Sequence, residues 1–295
     1  MLNKQFYSPK SIEELAKLLA YKHMAKDVFF VAGGTDFAVT AKKNHKMDYI
    51  AIDLTKIEEM KSIQLVDKYL EIGACVTLTE LMHSALVQTY VPGLAQAASK
   101  IGSVQIRNRG TIGGNIANAA QCADTLPVLF STESYLVLYN QYQGTRELWT
   151  EDFVVGFGHT NIQDDEVLYK IRVPIETSRF DAFSKVGSRK TVTISKMNFG
   201  MSIQIEKDII KKSRIYIGSI GPKPVSAKEM EAFLVDKKWD DSLLEKLYIL
   251  GAQKIESTIP TRPSKHYKKV AIKGVIAEAF NQITDQMEVG HESSV

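Results

Sequence analysis

Apolar and polar positions along the N-terminal half of the chain follow both a helical and a strand-like spacing. The helical spacing predicts two buried helix faces, at Ile12, Leu15, Ala16 and Leu19 and at Leu94, Ala97, Ala98 and Ile101. Short apolar runs predict strands at residues 28–32, 49–53 and 69–74. Ser11 and Glu14 fit a capping box at the first helix start, and another helix is predicted near residues 124–130, with Pro127 in its first turn.

Strands dominate the pattern after about residue 133. Five runs predict them, at residues 135–139, 167–173, 181–186, 201–206 and 214–220. Three helices follow, at residues 227–234, 242–254 and 264–283. In the run 201–206, apolar Met201, Ile203 and Ile205 alternate with polar residues, as in a strand with one buried face. A strand ends at Pro174 and a polar stretch follows, so a domain boundary is expected there.

Composition and charge narrow the class of protein. The 295 residues are 44% hydrophobic and 24% charged, which is typical of a globular chain of two or three domains. A net charge of +3 with scattered lysine pairs (Lys42–Lys43, Lys211–Lys212, Lys237–Lys238 and Lys268–Lys269) argues against a nucleic-acid partner. No apolar run is long enough to span a membrane, and Cys75 and Cys122 form no C-x-x-C pair. We therefore expect a cytoplasmic protein without a membrane partner.

Several common catalytic signatures are absent from the sequence. No G-x-G-x-x-G follows a strand, and neither a P-loop nor a G-x-S-x-G elbow occurs. The histidines show no metal-binding spacing; they are His23, His45, His83, His159, His266 and His291. We therefore predict no metal site and no catalytic residue in this chain.

Two Gly-Gly pairs carry the most informative chemistry. They occur in FFVAGGTDF, residues 29–37, and in RNRGTIGGNIANAA, residues 107–120. Glycine permits positive φ and lets a ligand approach the backbone. Successive amides in such turns form concave anion sites, and two of them suit a pyrophosphate, with Thr35, Thr111 and Asn115 as additional donors. The alternative is that both segments are ordinary turns.

These segments resemble the flavin-binding subunit of the molybdenum hydroxylases, and within that family the medium chain of bacterial xanthine dehydrogenases. The matching stretches run in the expected order along nearly the whole chain: AGGTD (32–36), QIRNRGTIGGNIANAAQCADTLP (105–127), EVLYKIRVP (166–174), FSKVGSRKTVTISKM (183–197), IGSIGPKPV (217–225) and RPSKHYKK (262–269).

The resemblance implies an α+β fold with an FAD-binding domain of the vanillyl-alcohol-oxidase (PCMH) type at residues 1–176. That domain would consist of two subdomains, at about 1–56 and 57–176. Residues 177–295 would form a domain of the carbon monoxide dehydrogenase flavoprotein C-terminal type, an antiparallel sheet with helices.

The resemblance also implies a set of FAD-binding residues: Phe29, Phe30, Val31, Ala32, Gly33, Gly34, Thr35, Asp36, Ile101, Thr111, Ile112, Gly113, Gly114, Asn115, Asp124, Leu168 and Lys185. Three of them have structural alternatives: core packing for Ile101, a plain helix N-cap for Asp124 and a surface lysine for Lys185. Strand alternation places Leu168 on the polar face of residues 167–173, where a flavin ring would cover it.

The function that the resemblance implies is electron relay. A molybdopterin-binding large subunit would hydroxylate an N-heterocycle, often a purine, and a [2Fe-2S] small subunit would pass the electrons to FAD in this chain. FAD would then reduce NAD+ or another acceptor, and a dimer of heterotrimers is one assembly that the resemblance allows. Two alternatives remain: a self-sufficient flavoenzyme like the enolpyruvyl-sugar reductases, which has a different third domain, and a non-catalytic nucleotide-binding assembly subunit.

Overall fold

Two hydrophobic cores organise the part of the chain that the computed structural model describes, residues 4–21, 28–37, 49–189 and 192–292. Buried side chains from Leu15 to Val173 build the first core, and those from Ala182 to Ile283 build the second. Phe183 and Tyr216 are exceptions, because both follow the expected boundary yet pack into the first core. His23, His45 and the lysine pair at 42–43 lie outside the described residues.

A small parallel sheet begins the chain. Its strands are β1 (Lys4–Tyr7), β2 (Val28–Val31) and β3 (Tyr49–Asp53), in the order β1-β3-β2, and helix α1 (Ile12–Tyr21) follows β1. Leu15 and Leu19 are buried, as the helical spacing predicts. Only half of the predicted capping box forms: the Ser11 hydroxyl accepts from the Glu14 amide at 3.2 Å, whereas the Glu14 carboxylate accepts from the Lys10 amide. The first glycine pair follows β2 directly.

An antiparallel sheet of five strands forms the centre of the N-terminal region. The strands that follow in the chain are β4 (Ile63–Val66), β5 (Tyr69–Gly73), β6 (Tyr135–Asn140), β7 (Gly144–Trp149), β8 (Val154–Gly156), β9 (His159–Thr160) and β10 (Glu166–Pro174). The sheet has the order β4-β5-β10-β6-β7, and β8 and β9 pair separately.

A β-bulge in β10 changes the expected position of Leu168. Leu168 pairs with Leu138 and Lys170 with Val137, so Tyr169 is left as the additional residue. Because the bulge lies between Leu168 and Lys170, these two residues do not share a face of the sheet, and Leu168 is buried in the first core. The prediction that Leu168 lies on the polar face is therefore wrong.

Seven short helices accompany the central sheet: α2 (Leu78–His83), α3 (Ala85–Tyr90), α4 (Pro92–Ser99), α5 (Val104–Arg107), α6 (Ile112–Asn118), α7 (Thr125–Ser131) and α8 (Thr150–Phe153). Leu94, Ala97 and Ala98 are buried on α4 as predicted, but the helix ends at Ser99 and Ile101 lies beyond it. Pro127 lies in the first turn of α7, as expected.

The C-terminal region is an antiparallel sheet covered by helices. Its elements are β11 (Arg179–Val186), β12 (Met197–Glu206), β13 (Ile209–Gly218), β14 (Val225–Ser226), α9 (Lys228–Leu234), α10 (Leu244–Thr258) and α11 (Lys265–Glu292). The strands lie in chain order, so β11 is an edge strand. Met201, Ile203 and Ile205 are buried in the second core, as their alternation predicts.

Side chains of α11 cover the free edge of β11. The Gln282 side chain exchanges hydrogen bonds of 3.1 and 2.9 Å with the backbone of Phe183. The Gln286 side chain does the same with the backbone of Asp181, at 3.4 and 2.9 Å. Among the described helices, α11 included, none has the length and apolar character needed to cross a membrane.

Candidate functional site

The two segments that contain the glycine pairs line one groove of about 440 Å³. Most of the predicted FAD-binding residues line it: Phe29, Phe30, Val31, Ala32, Gly33, Gly34, Thr35, Asp36, Ile101, Thr111, Gly114 and Asn115. The segments touch directly, since a Cβ at Gly33 would collide with the carbonyl of Arg109. Asn118 also donates a 3.3 Å hydrogen bond to Asp36 across the groove. The fold thus brings together two segments about 80 residues apart.

The first segment, residues 32–36, offers unused backbone donors. Gly34 has φ of +73°, a conformation that glycine adopts without strain. Within the described parts of the chain, the amides of Gly33, Gly34 and Thr35 donate to no acceptor. Three neighbouring amides at the groove can therefore bind an anion.

The second segment, residues 111–115, is the start of α6 and not the predicted loop. The amides of Ile112 and Gly113 donate to the carbonyls of Val76 and Ala74 at 3.0 and 2.9 Å. The Gly114 amide donates to the Thr111 hydroxyl, the helix N-cap, at 3.1 Å. Because these amides already have acceptors, the prediction of a second concave set of free amides is wrong.

The glycines of this second segment have different neighbours. A Cβ at Gly113 would lie 2.6 Å from both the Cβ and the carbonyl oxygen of Ala74, so this glycine allows α6 to pack closely. Ile112 and Gly113 are buried and do not line the groove. A Cβ at Gly114 would instead project beside Thr111 Oγ1, at 3.0 Å, on the groove surface. Of this pair, only Gly114 leaves room for a ligand.

Asp124 and Lys185 meet away from the groove, between the two regions of the chain. Lys185 Nζ lies 2.7 Å from Asp124 Oδ2, and Asp124 Oδ1 accepts from Ser195 Oγ and Asn198 Nδ2 at 2.6 and 2.7 Å. Asp124 makes no capping bond to α7, and only 7% of the Lys185 side chain is exposed. The alternatives of a plain N-cap and a surface lysine are therefore wrong. Buried charges of this kind need their partners.

A cleft of about 860 Å³ adjoins the groove. The two cavities meet at one stretch of backbone, because Ile101 lines the groove while Lys100 and Gly102 line the cleft. The charged residues of the cleft are mostly basic: Lys100, Arg107, Lys185, Arg189 and Glu278. Such a lining favours anionic ligands.

The comparisons with known proteins assign the chain to a family. Residues 2–176 match the model of the FAD binding domain in molybdopterin dehydrogenase, and residues 182–283 match the CO dehydrogenase flavoprotein C-terminal domain. The chain belongs to the molybdopterin dehydrogenase FAD-binding family. Both matches confirm the resemblance and the fold class predicted from the sequence. The second match also argues against the alternative of an enolpyruvyl-sugar reductase, because those enzymes are expected to have a different third domain.

Several relatives of this family align over almost their whole length. The nicotinate dehydrogenase FAD-subunit of Eubacterium barkeri is 30% identical over 97% of this chain and 98% of its own. The xanthine dehydrogenase FAD-binding subunit of Escherichia coli O157:H7 is 26% identical over 93% and 95%. Among solved structures, a chain of the carbon monoxide dehydrogenase from Hydrogenophaga pseudoflava gives a TM-score of 0.84 at 26% identity, covering 96% of this chain and 98% of that one. These relatives are subunits of oxidoreductases.

The geometry of the groove fits the FAD of this family. Free amides at Gly33, Gly34 and Thr35 suit phosphate oxygens, and the missing Cβ at Gly114 leaves space opposite them. The volume of the groove also lies within the range of ligand sites, about 300–1,000 Å³. Both the sequence match and the geometry of the groove thus indicate an FAD-binding domain.

Sequence reasoning missed several residues that line the groove: Phe37, Tyr49, Leu78, Ile106, Gly110, Ala117 and Asn118. Phe37 directly follows the first segment and packs its ring 5.4 Å from Phe29 and 5.7 Å from Tyr49. Its position next to residues 32–36 was a usable signal. Tyr49 gave no such signal, because the parallel pairing of β2 and β3 brings it to the groove.

Proposed function

We propose that this chain is the FAD-binding electron-transfer subunit of a molybdenum hydroxylase complex. It takes electrons from a [2Fe-2S] small subunit and passes them to NAD+ or another acceptor, while a molybdopterin-binding large subunit oxidises the substrate. The observation that carries this proposal is the groove in which the two glycine segments meet, in a chain that matches the FAD-binding domain over residues 2–176 and the CO dehydrogenase flavoprotein C-terminal domain over residues 182–283.

In this proposal, the residues that line the groove hold FAD. The amides of Gly33, Gly34 and Thr35 bind the pyrophosphate, and Gly114 leaves space for it. Ile112 and Leu168 belong to the first core, Gly113 lets α6 pack on Ala74, and the Asp124–Lys185 pair acts from the side of the cleft. Bound FAD would supply the exchange between one-electron and two-electron steps. The protein would position this cofactor and tune it.

A separate [2Fe-2S] subunit is proposed because the cysteines of this chain are unsuited to ligate such a cluster. Fe–S ligation needs thiolates, commonly four. Cys75 and Cys122 are the two cysteines of the chain, and burial raises the pKa of the Cys75 thiol to about 12. Burial also raises the pKa of Cys122, and the nearby Asp124 carboxylate adds to this. Both thiols therefore stay protonated at neutral pH and are poor cluster ligands.

The basic cleft beside the groove suits the phosphates of NAD+, so we place the acceptor there. For the complex we propose an N-heterocycle as substrate, of the xanthine or nicotinate type, by analogy with the two relatives named above. The proposed domains are 1–176 for FAD and 177–295 for the C-terminal domain.

The test is purification of the chain alone and together with its native partner subunits. Alone, it is expected to carry noncovalent FAD, visible by absorption and released on denaturation, and to reduce an artificial acceptor with NADH. Heterocycle hydroxylation is expected only from the complex, which should contain molybdopterin and [2Fe-2S]. A folded chain that binds no flavin, or hydroxylation by the chain alone, would contradict the proposal.

A further inference from the structure

One face of β11 points away from its own domain. Phe183 packs in the first core, whereas Ala182 belongs to the second core. The Ser184 hydroxyl donates to the carbonyl of Val275 on α11 at 2.6 Å. Because side chains alternate along a strand, Asp181, Phe183 and Lys185 share the face that meets the N-terminal region. This face carries an acid, an aromatic ring and a base in that order.

The acid of this face lies at the N-terminus of α4. Asp181 is fully buried, and its Oδ1 accepts from the Gly93 amide in the first turn of α4 at 2.7 Å. A Cβ at Gly93 would lie 2.8 Å from the same oxygen. Arg179, on the same strand, donates to the carbonyl of Tyr90 just before α4, at 2.9 Å. A carboxylate at this end complements the positive pole of the helix.

The base of this face lies at the other end of α4. Lys185 Nζ donates at 2.7 Å to the carbonyl of Lys100, the residue that follows the last turn. An ammonium at this end complements the negative pole of the helix. The distance between Asp181 and Lys185 along β11 also matches the length of α4. Four residues of strand span about 13 Å. The seven residues from Gly93 to Lys100 rise about 11 Å as helix.

The end of α4 held by Lys185 leads directly into the walls of both cavities. Ile101 lines the groove and Gly102 lines the cleft. Gly102 has φ of +53°, and a Cβ there would lie 2.8 Å from Ile106, another residue of the groove wall. A shift of α4 along β11 would therefore move the wall against which FAD is placed.

We propose that Asp181, Phe183 and Lys185 form a clamp on α4 that positions Ile101 and Gly102, so that docking of the C-terminal domain and FAD binding strengthen each other. The proposal rests on the FAD function proposed above. Asp181 is in this sense a positioning residue, since it touches α4 and lines neither cavity. The coupling is reciprocal, because any linkage between two binding equilibria acts equally in both directions.

The experiment compares two substitutions of Asp181 in the full chain after removal of flavin. Asp181→Leu removes both the charge and the acceptor for the Gly93 amide, and we expect the Kd for added FAD to rise about tenfold. Asp181→Asn keeps an oxygen for that amide, so its Kd should stay within about threefold of wild type. If FAD affinity is retained in Asp181→Asn, the loss in Asp181→Leu comes from the missing acceptor for α4 and not from the missing buried charge.

Ile255→Val is the matched control, because it removes one methyl group from the second core on α10, a helix that packs chiefly against α11. It should lower the thermal midpoint and leave the FAD Kd unchanged. An unchanged Kd in folded Asp181→Leu would overturn the clamp, as would an equal rise in Ile255→Val.

If Asp181→Leu does not fold, Gly93→Ala tests the clamp from the helix side, because its methyl group would push against Asp181. A wild-type Kd in folded Gly93→Ala would then overturn the clamp. The outcome for the proposed function is separate: a wild-type chain without FAD affinity contradicts that function, whereas wild-type binding that is insensitive to these substitutions contradicts the clamp alone.

Discussion

The two glycine segments of the groove, residues 32–36 and 111–115, look alike in sequence and contribute differently in the structure. In each pair the first glycine packs on protein backbone: Gly33 on Arg109 and Gly113 on Ala74. The second glycine of each pair, Gly34 or Gly114, opens onto the groove. The segments differ in their amides: among the described residues, those of Gly33, Gly34 and Thr35 donate to no acceptor, whereas those of Ile112, Gly113 and Gly114 do. The first segment offers donors, and the second offers room.

The largest effect is expected at the packed glycines. Gly33→Ala would place a methyl group against the carbonyl of Arg109, which is backbone and cannot turn away. We expect the free energy of unfolding to fall by about 3 kcal/mol, the upper range for overpacking. Urea unfolding of the apoprotein measures this loss, and FAD should bind weakly to what remains folded.

Gly274→Ala is the control for this prediction, because no atom lies within 4 Å of its Cβ position on α11. It should leave stability unchanged or raise it by up to about 1 kcal/mol through helix propensity. Equal stability of Gly33→Ala and wild type would show that the two segments do not pack as described.

A smaller effect, on binding alone, is expected at the glycine that opens onto the groove from α6. In Gly114→Ala, the Thr111 hydroxyl needs to shift by only a few tenths of an ångström to make room for the new methyl group. Alanine also has a higher helix propensity than glycine. We expect unchanged or slightly higher stability but a Kd for FAD raised about tenfold or more, at least about 1.4 kcal/mol. Isothermal titration of the apoprotein with FAD measures it. Wild-type affinity in this variant would remove Gly114 from the site.

The smallest effect is expected at the cap of the second segment. Thr111→Val removes the oxygen that accepts from the Gly114 amide, which should lower stability by about 1 kcal/mol. Ser84→Ala is the control, since the Ser84 hydroxyl caps α3 by accepting from the Val87 amide and Ser84 does not line the groove. Thermal melts with and without FAD compare the two. FAD affinity should fall only in Thr111→Val, and an equal fall in both would assign the loss to stability.

The sequence predicts much of this architecture for a simple physical reason. Strong apolar periodicity marks buried faces, so the strands at 135–139 and 201–206 and the helix stripe ending at Ala98 are found correctly. Strands β1, β4 and β7 were missed because most of their side chains are partly or fully exposed. Periodicity carries no signal where neither face of a strand is fully buried.

The candidate site was predictable where neighbours in sequence remain neighbours in space, as in residues 29–36. It was not predictable where distant contacts decide. The helix at Ile112–Asn118 contains two glycines, and packing of Gly113 on Ala74 overrides their low helix propensity. Leu168 is buried in the core because β10 contains one additional residue opposite β6. The Asp124–Lys185 pair joins residues 61 positions apart.

The glutamines of α11 that cover β11 have a consequence for how molecules of this protein meet one another. An open edge strand would let another polypeptide extend the sheet by strand addition, a common route to aggregation. Many proteins block such edges with charged side chains, whose repulsion weakens as salt is added. Gln282 and Gln286 instead occupy the backbone groups of Phe183 and Asp181 with uncharged amides. The resistance of this edge to self-association should therefore change little with ionic strength.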